Sequence, residues 1–114
     1  MGMPWLRVDT DIFDHPKFVI LIQNKKWHLI VAHFQAMTWT GKHMQDGHIP
    51  DYITRHLGIK RSECDELVMA GLWDVDLDGN GWWIHGWDER QPTTEAFVRR
   101  SRAGRENALK RWSK

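Results

Sequence analysis

Between Trp27 and Gly41 the chain sets apolar side chains at Trp27, Ile30, Val31, Phe34 and Met37. This is the i, i+3/4, i+7 stripe of an amphipathic helix, and Gly41 stands where such a helix stops. A shorter helix is expected ahead of it. Asp14 and His15 offer a cap, Pro16 a first-turn proline, and Phe18, Leu21 and Ile22 an inward face, before Asn24 to Lys26 break the pattern. The stretch "DGHIP" then gives a turn and a very short extended piece. Pro50 opens a third helix of barely two turns, with Ile53 and Leu57 inward and Gly58 at its end. After Ile59, Lys60 and Arg61, Ser62 is placed to cap a fourth helix whose apolar face is Cys64, Leu67, Val68, Gly71 and Leu72.

At Trp73 the period changes from helical to alternating. Trp73, Val75 and Leu77 face one way and Asp74, Asp76 and Asp78 the other, which predicts a strand. "DGNG" makes a hairpin turn because Gly and Asn tolerate positive φ, and "WWIHGW" returns as the second strand. Two short helices joined by a short Gly-containing turn form a helix-turn-helix pattern. The predicted order of helix, helix, short strand, helix-turn-helix and hairpin is that of a winged helix, a mainly α fold with a small β-hairpin.

The charge is unevenly spread. Residues 1–96 carry nine Lys/Arg and fourteen Asp/Glu, and residues 97–114 carry seven and one, so the body is −5 and the tail +6. This divides the chain into a winged-helix domain, residues 1–92, and a basic C-terminal helix or tail, residues 93–114. Phe97, Ser101, Gly104, Ala108 and Trp112 fall on one helical face of that tail, a seam suited to docking on the body or on a second copy in a homodimer. Arg99, Arg100, Arg102, Arg105, Lys110 and Arg111 supply the charge that an anionic partner such as nucleic acid would meet.

Composition excludes several classes. The single cysteine, Cys64, rules out an intramolecular disulfide framework and suits a reducing compartment. The longest apolar run, "FVILI", is too short to span a bilayer, and "MGMPWLRVD" lacks the layout of a signal peptide, so a soluble cytoplasmic protein is expected. "DVDLDGNG" begins like a calcium loop, but His85 stands where the bidentate Glu belongs. His43, His48, His56 and Cys64 match no finger-type zinc spacing. No Ser/His/Asp order, phosphate-binding glycine loop or isolated carboxylate pair stands out, so neither catalysis nor a cofactor is expected.

The fourth helix raises a conflict of sign. In a helix-turn-helix it would enter the DNA major groove, yet its first turn carries Glu63, Asp65 and Glu66. Carboxylates there are stabilised by the helix dipole, and one could accept from a cytosine amino group. Three facing a duplex would oppose the phosphate attraction that dominates affinity. Arg55, Lys60 and Arg61, at or just before the entrance of that helix, are the candidate phosphate contacts. Of the eight tryptophans, Trp5, Trp27, Trp39, Trp73 and one of Trp82 or Trp83 are expected in the core. Trp87 and Trp112 are harder to bury and are candidate partner anchors, together with Glu63 and Glu66.

The combination "MPWLRVDTDIFDHPKFVIL", "DGHIP", "ELVMAGLWD" and "GWWIHGWDERQPT" resembles the N-terminal winged-helix domain of phage and prophage replication-initiation proteins, the replisome organisers. The resemblance covers roughly residues 3–92 and continues loosely into the basic tail. It implies a protein of the bacterial host's cytoplasm that binds double-stranded DNA in replication initiation or transcription control. The alternative is a protein-interaction module whose acidic helix and wing dock on a host or phage replication or transcription protein.

Overall fold

The computed structural model describes residues 2–91. A 3-10 turn, Ile12–Asp14, leads into α1 (Pro16–Gln23). The cap of α1 is His15, whose Nδ1 accepts from the Lys17 N–H at 3.2 Å. Helix α2 (Trp27–Lys42) packs against α1, α4 and β1. It continues through Gly41, where the N-terminal segment crosses it and the Met3 N–H donates to the Gly41 carbonyl at 3.2 Å.

Burial along α2 is rotated from the expected stripe. Leu29, Ile30, Ala32, His33, Ala36, Met37 and Thr40 face inward, whereas Trp27 and Val31 are 53% and 58% exposed. The small residues Ala32 and Ala36 allow neighbouring elements to approach, and the tryptophan is left outside.

The remaining elements are β1 (His48–Ile49), α3 (Asp51–His56), α4 (Arg61–Met69), β2 (Trp73–Val75), β3 (Trp82–Ile84) and α5 (Trp87–Arg90). Helix α3 starts one residue later than expected, with Pro50 as its N-cap, and α4 starts earlier, with Lys60 and not Ser62 as its N-cap. The strands make one antiparallel sheet in the order β1-β3-β2, with Trp82 opposite both Ile49 and Val75. The expected hairpin is thus widened by the short piece at His48, which pairs with Trp83. Gly81 makes that closeness possible. Its φ is +116°, and a Cβ there would run into the Ile49 carbonyl oxygen.

Strand β2 is shorter than its alternation suggests. Regular pairing ends at Val75, so Val75 and Leu77 are exposed, while Asp76 turns inward and accepts from the Asp78 N–H at 3.0 Å. Likewise β3 ends at Ile84, and Gly86, at φ +71°, redirects the chain into α5. That turn carries Trp87 into the core, where it is 4% exposed, which corrects its placement as an exposed anchor.

Trp73, Trp82 and Trp87 are therefore the fully buried tryptophans among the described residues; Trp39 is partly buried and Trp5 exposed. The Trp73 Nε1–H donates to His33 Nδ1 at 3.0 Å inside the core. Burial, with a smaller contribution from the Arg90 charge, pushes His33 down to about 4. Gln91 closes the domain by pairing with the Arg7 backbone, accepting from its N–H at 2.8 Å and donating to its carbonyl at 2.6 Å. Among the described residues no helix is long and apolar enough to cross a membrane.

Candidate nucleic-acid interface

Helices α3 and α4 are joined through Gly58, whose φ of +78° lets the chain reverse with Ile59 buried beneath it. The Lys60 N–H donates to Glu63 Oε1 at 2.9 Å, one half of a capping box. A lysine side chain has no acceptor to return, so the box is one-sided. Cys64 and Leu67 anchor α4 to the core, which leaves Arg61, Ser62, Asp65 and Met69 on its solvent face. Tyr52, Arg55 and His56 are exposed on α3, and Lys60 between the helices.

The acidic turn of α4 is largely answered within the molecule. Glu66 Oε1 lies 2.9 Å from Lys26 Nζ, and Glu63 Oε2 lies 3.8 Å from His28 Nε2. Both partners come from the start of α2. Of the three carboxylates, Asp65 alone stands on the exposed face, and its Oδ1 is 4.0 Å from Arg61 Nε. Of the candidate partner contacts, Glu66 is thus engaged with Lys26 at the start of α2, and Glu63 caps its own helix.

The basic groups are held in turn. Asp51 lies between two of them, with Oδ2 3.7 Å from Arg55 Nη2 and Oδ1 3.8 Å from Arg61 Nη1. The Arg61 guanidinium also stands 5.2 Å from the centre of the Trp82 ring, within cation–π range. Both arginine side chains remain about three-quarters exposed, at 77% and 74%. The structure therefore links Arg55 and Arg61 through a shared carboxylate that the sequence does not reveal, with Lys60 exposed next to Arg61.

The carboxylates of the β2–β3 hairpin separate onto different partners. Asp74 Oδ2 is 2.9 Å from His85 Nδ1, and Asp76 Oδ2 is 2.9 Å from His48 Nε2. The Asp78 N–H holds the Asp76 carboxyl below its ordinary value, aided by the bond to His48, while desolvation acts the other way. At the tip, Leu77 is 97% exposed.

Arg99, Arg100, Arg102, Arg105, Lys110, Arg111 and Trp112 lie outside the described residues. The Lys26–Glu66 pair escapes sequence reading because its members are 40 positions apart and no local pattern links them. No protein-family model, curated protein or solved structure matches the chain.

Proposed function

We propose that this chain is a small winged-helix protein that binds double-stranded DNA, serving replication initiation or transcription control in a bacterial host's cytoplasm, as its resemblance to phage replisome organisers implies. The sheet order β1-β3-β2, with the helix-turn-helix ahead of the hairpin, supports the winged-helix reading. The observation that carries the DNA reading is the internal pairing of Glu66 with Lys26 and the capping role of Glu63. These reduce the negative charge that α4 would turn toward a polyanion, leaving Asp65 on its exposed face. Arg55, Lys60 and Arg61 then serve as phosphate contacts beside the groove, and the seven Lys/Arg of residues 97–114 supply most of the electrostatic attraction.

The test is a fluorescence-anisotropy titration of duplex DNA at several salt concentrations, comparing the full chain with one lacking residues 97–114. Four to six phosphates neutralised by the tail would flatten the salt slope by roughly four to five units on its removal, at about 0.9 per phosphate. Equal slopes would remove the tail from the mechanism. The exposed Leu77 and Val75 beside Asp74 and Asp78 on the wing favour a second reading, docking on a basic, partly apolar protein surface. On that reading the domain without its tail keeps its partner, and the full chain shows no salt-dependent DNA affinity.

A further inference from the structure

Helix α2 turns an uncharged face outward. From Trp27 to Gly41 the sequence holds no Asp, Glu, Lys or Arg, although a surface helix normally carries such groups on its solvent side. Its outward residues are instead Trp27, Val31, Gln35 and Thr38, with His28 at one end beside Glu63. Phe34 is partly buried behind them, and Phe13, from the 3-10 turn, flanks the face to form an open apolar groove. The nearest formal charges along the chain, Lys26 and Lys42, stand at the two ends of the helix, and Lys26 is paired with Glu66.

Trp27, Val31, Phe34 and Thr38 are spaced four, three and four residues apart, the seam along which two helices interlock in a coiled coil. The occupant that fits this seam is the same seam of a second copy. Run antiparallel about a two-fold axis, it sets Trp27 against Thr38 and Val31 against Phe34, so the largest side chain meets the smallest and the helix dipoles oppose. A parallel pair would set Trp27 on Trp27 and Thr38 on Thr38. Because the seam is neutral, neither copy brings charge against the other. The same neutrality disfavours residues 97–114 as the occupant, since the seam offers their seven Lys/Arg no carboxylate. The area matches a weak dimer. Phe13, Trp27 and Val31 are 51%, 53% and 58% exposed, and with about 150–250 Å² per aromatic side chain they leave roughly 300 Å² of apolar surface per copy. The roughly 600 Å² from two copies approaches the apolar area of the smallest specific interfaces, about 700 Å² of about 1,200 Å².

We propose that the outer face of α2 is a self-association surface, on which a second copy of this chain docks its own α2 in antiparallel orientation to form a weak two-fold dimer. The proposal is independent of the DNA reading, since it uses none of the residues assigned to phosphate contact and is tested without DNA.

Sedimentation equilibrium of the full chain between about 5 µM and 1 mM should show a reversible monomer–dimer equilibrium, with a Kd on the order of 10–100 µM for an interface at the small end of the range. Val31→Glu, which brings two carboxylates together near the two-fold axis, and Trp27→Glu should each weaken association at least about tenfold. Both positions are exposed in the single chain, so circular dichroism should show both variants folded, and either one decides the matter. Adding Thr38→Lys to Trp27→Glu sets the new carboxylate opposite an ammonium in the antiparallel dimer and should recover about threefold or more in affinity. A monomer at every concentration, as when residues 97–114 or a foreign partner cover the groove, would overturn the proposal. So would an unmoved Kd in a folded Glu variant, which places the contact on another face. A double variant that associates no more tightly than Trp27→Glu would overturn the antiparallel pairing on which the proposal stands.

Discussion

Replacing Asp51 by Asn tests whether the arginines at the head of the α3–α4 pair meet phosphates. Its two carboxylate oxygens stand 3.7 and 3.8 Å from Arg55 and Arg61, so one substitution frees both guanidiniums without altering them. At that distance each attraction is about 1 kcal/mol in water. After side-chain entropy, exposed pairs of this kind contribute about 0–1 kcal/mol. Asp51 also sits in the first turn of α3, where a carboxylate is stabilised by about 0.3–1 kcal/mol. Folding stability should therefore fall by only about 1 kcal/mol.

DNA affinity should move in the opposite direction. Released from a carboxylate, each guanidinium neutralises phosphate more fully, so the slope of log affinity against log salt should steepen by about one to two units. The affinity itself should rise about three- to tenfold at physiological salt, a gain of about 0.7–1.4 kcal/mol. Asp65→Asn, which touches Arg61 alone, should give roughly half of this. Anisotropy titrations at several salt concentrations measure both quantities, and thermal melts check the fold. Unchanged affinity and slope in a folded Asp51→Asn protein would place Arg55 and Arg61 away from the DNA and refute the proposed mode.

Two predictions concern the core. His33 titrates at about 4 when folded against 6.5 when free, so as pH falls below 6.5 the unfolded chain gains a proton that the native protein does not. Stability should be full above pH 6.5, decline as pH falls and have lost about 3 kcal/mol by pH 4. Urea melts should show this slope in the wild type and not in His33→Gln, which retains an acceptor for Trp73; a persistent slope would locate the titration elsewhere. Trp27→Ala should cost less than about 1 kcal/mol because the ring is exposed, and Trp82→Ala about 3–5 kcal/mol. Equal denaturation midpoints for the two would contradict the packing described for α2.

The order of elements was legible because their punctuation is local. Pro16, Pro50, Gly58 and the "DGNG" turn act within a few residues, through fixed φ or tolerance of positive φ. The facing of α2 was not legible. Its inner side is built of Ala32, His33, Ala36 and Thr40, which carry little hydrophobic signal, while the strongest apolar residue, Trp27, lies outside. Trp87 was misplaced because an αL Gly86 ends the strand alternation and turns the ring inward. At the candidate interface the cluster of Arg55, Lys60 and Arg61 could be read from chain proximity. The shared Asp51 and the Lys26–Glu66 pair could not, since they depend on how separate helices come to rest against one another.

Cys64 sits with no exposed surface on the face of α4 that meets the core. Burial pushes its thiol up to about 11, an effect that a bond from Thr54 only partly offsets. The thiolate is the reactive species, so the sulfur is protected from alkylating agents and oxidants both by enclosure and by its protonation. Modification must then wait for α4 to lift from the core. With no second cysteine to compete for reagent, the rate of thiol labelling in this chain becomes a clock for the lifting of α4 from the core.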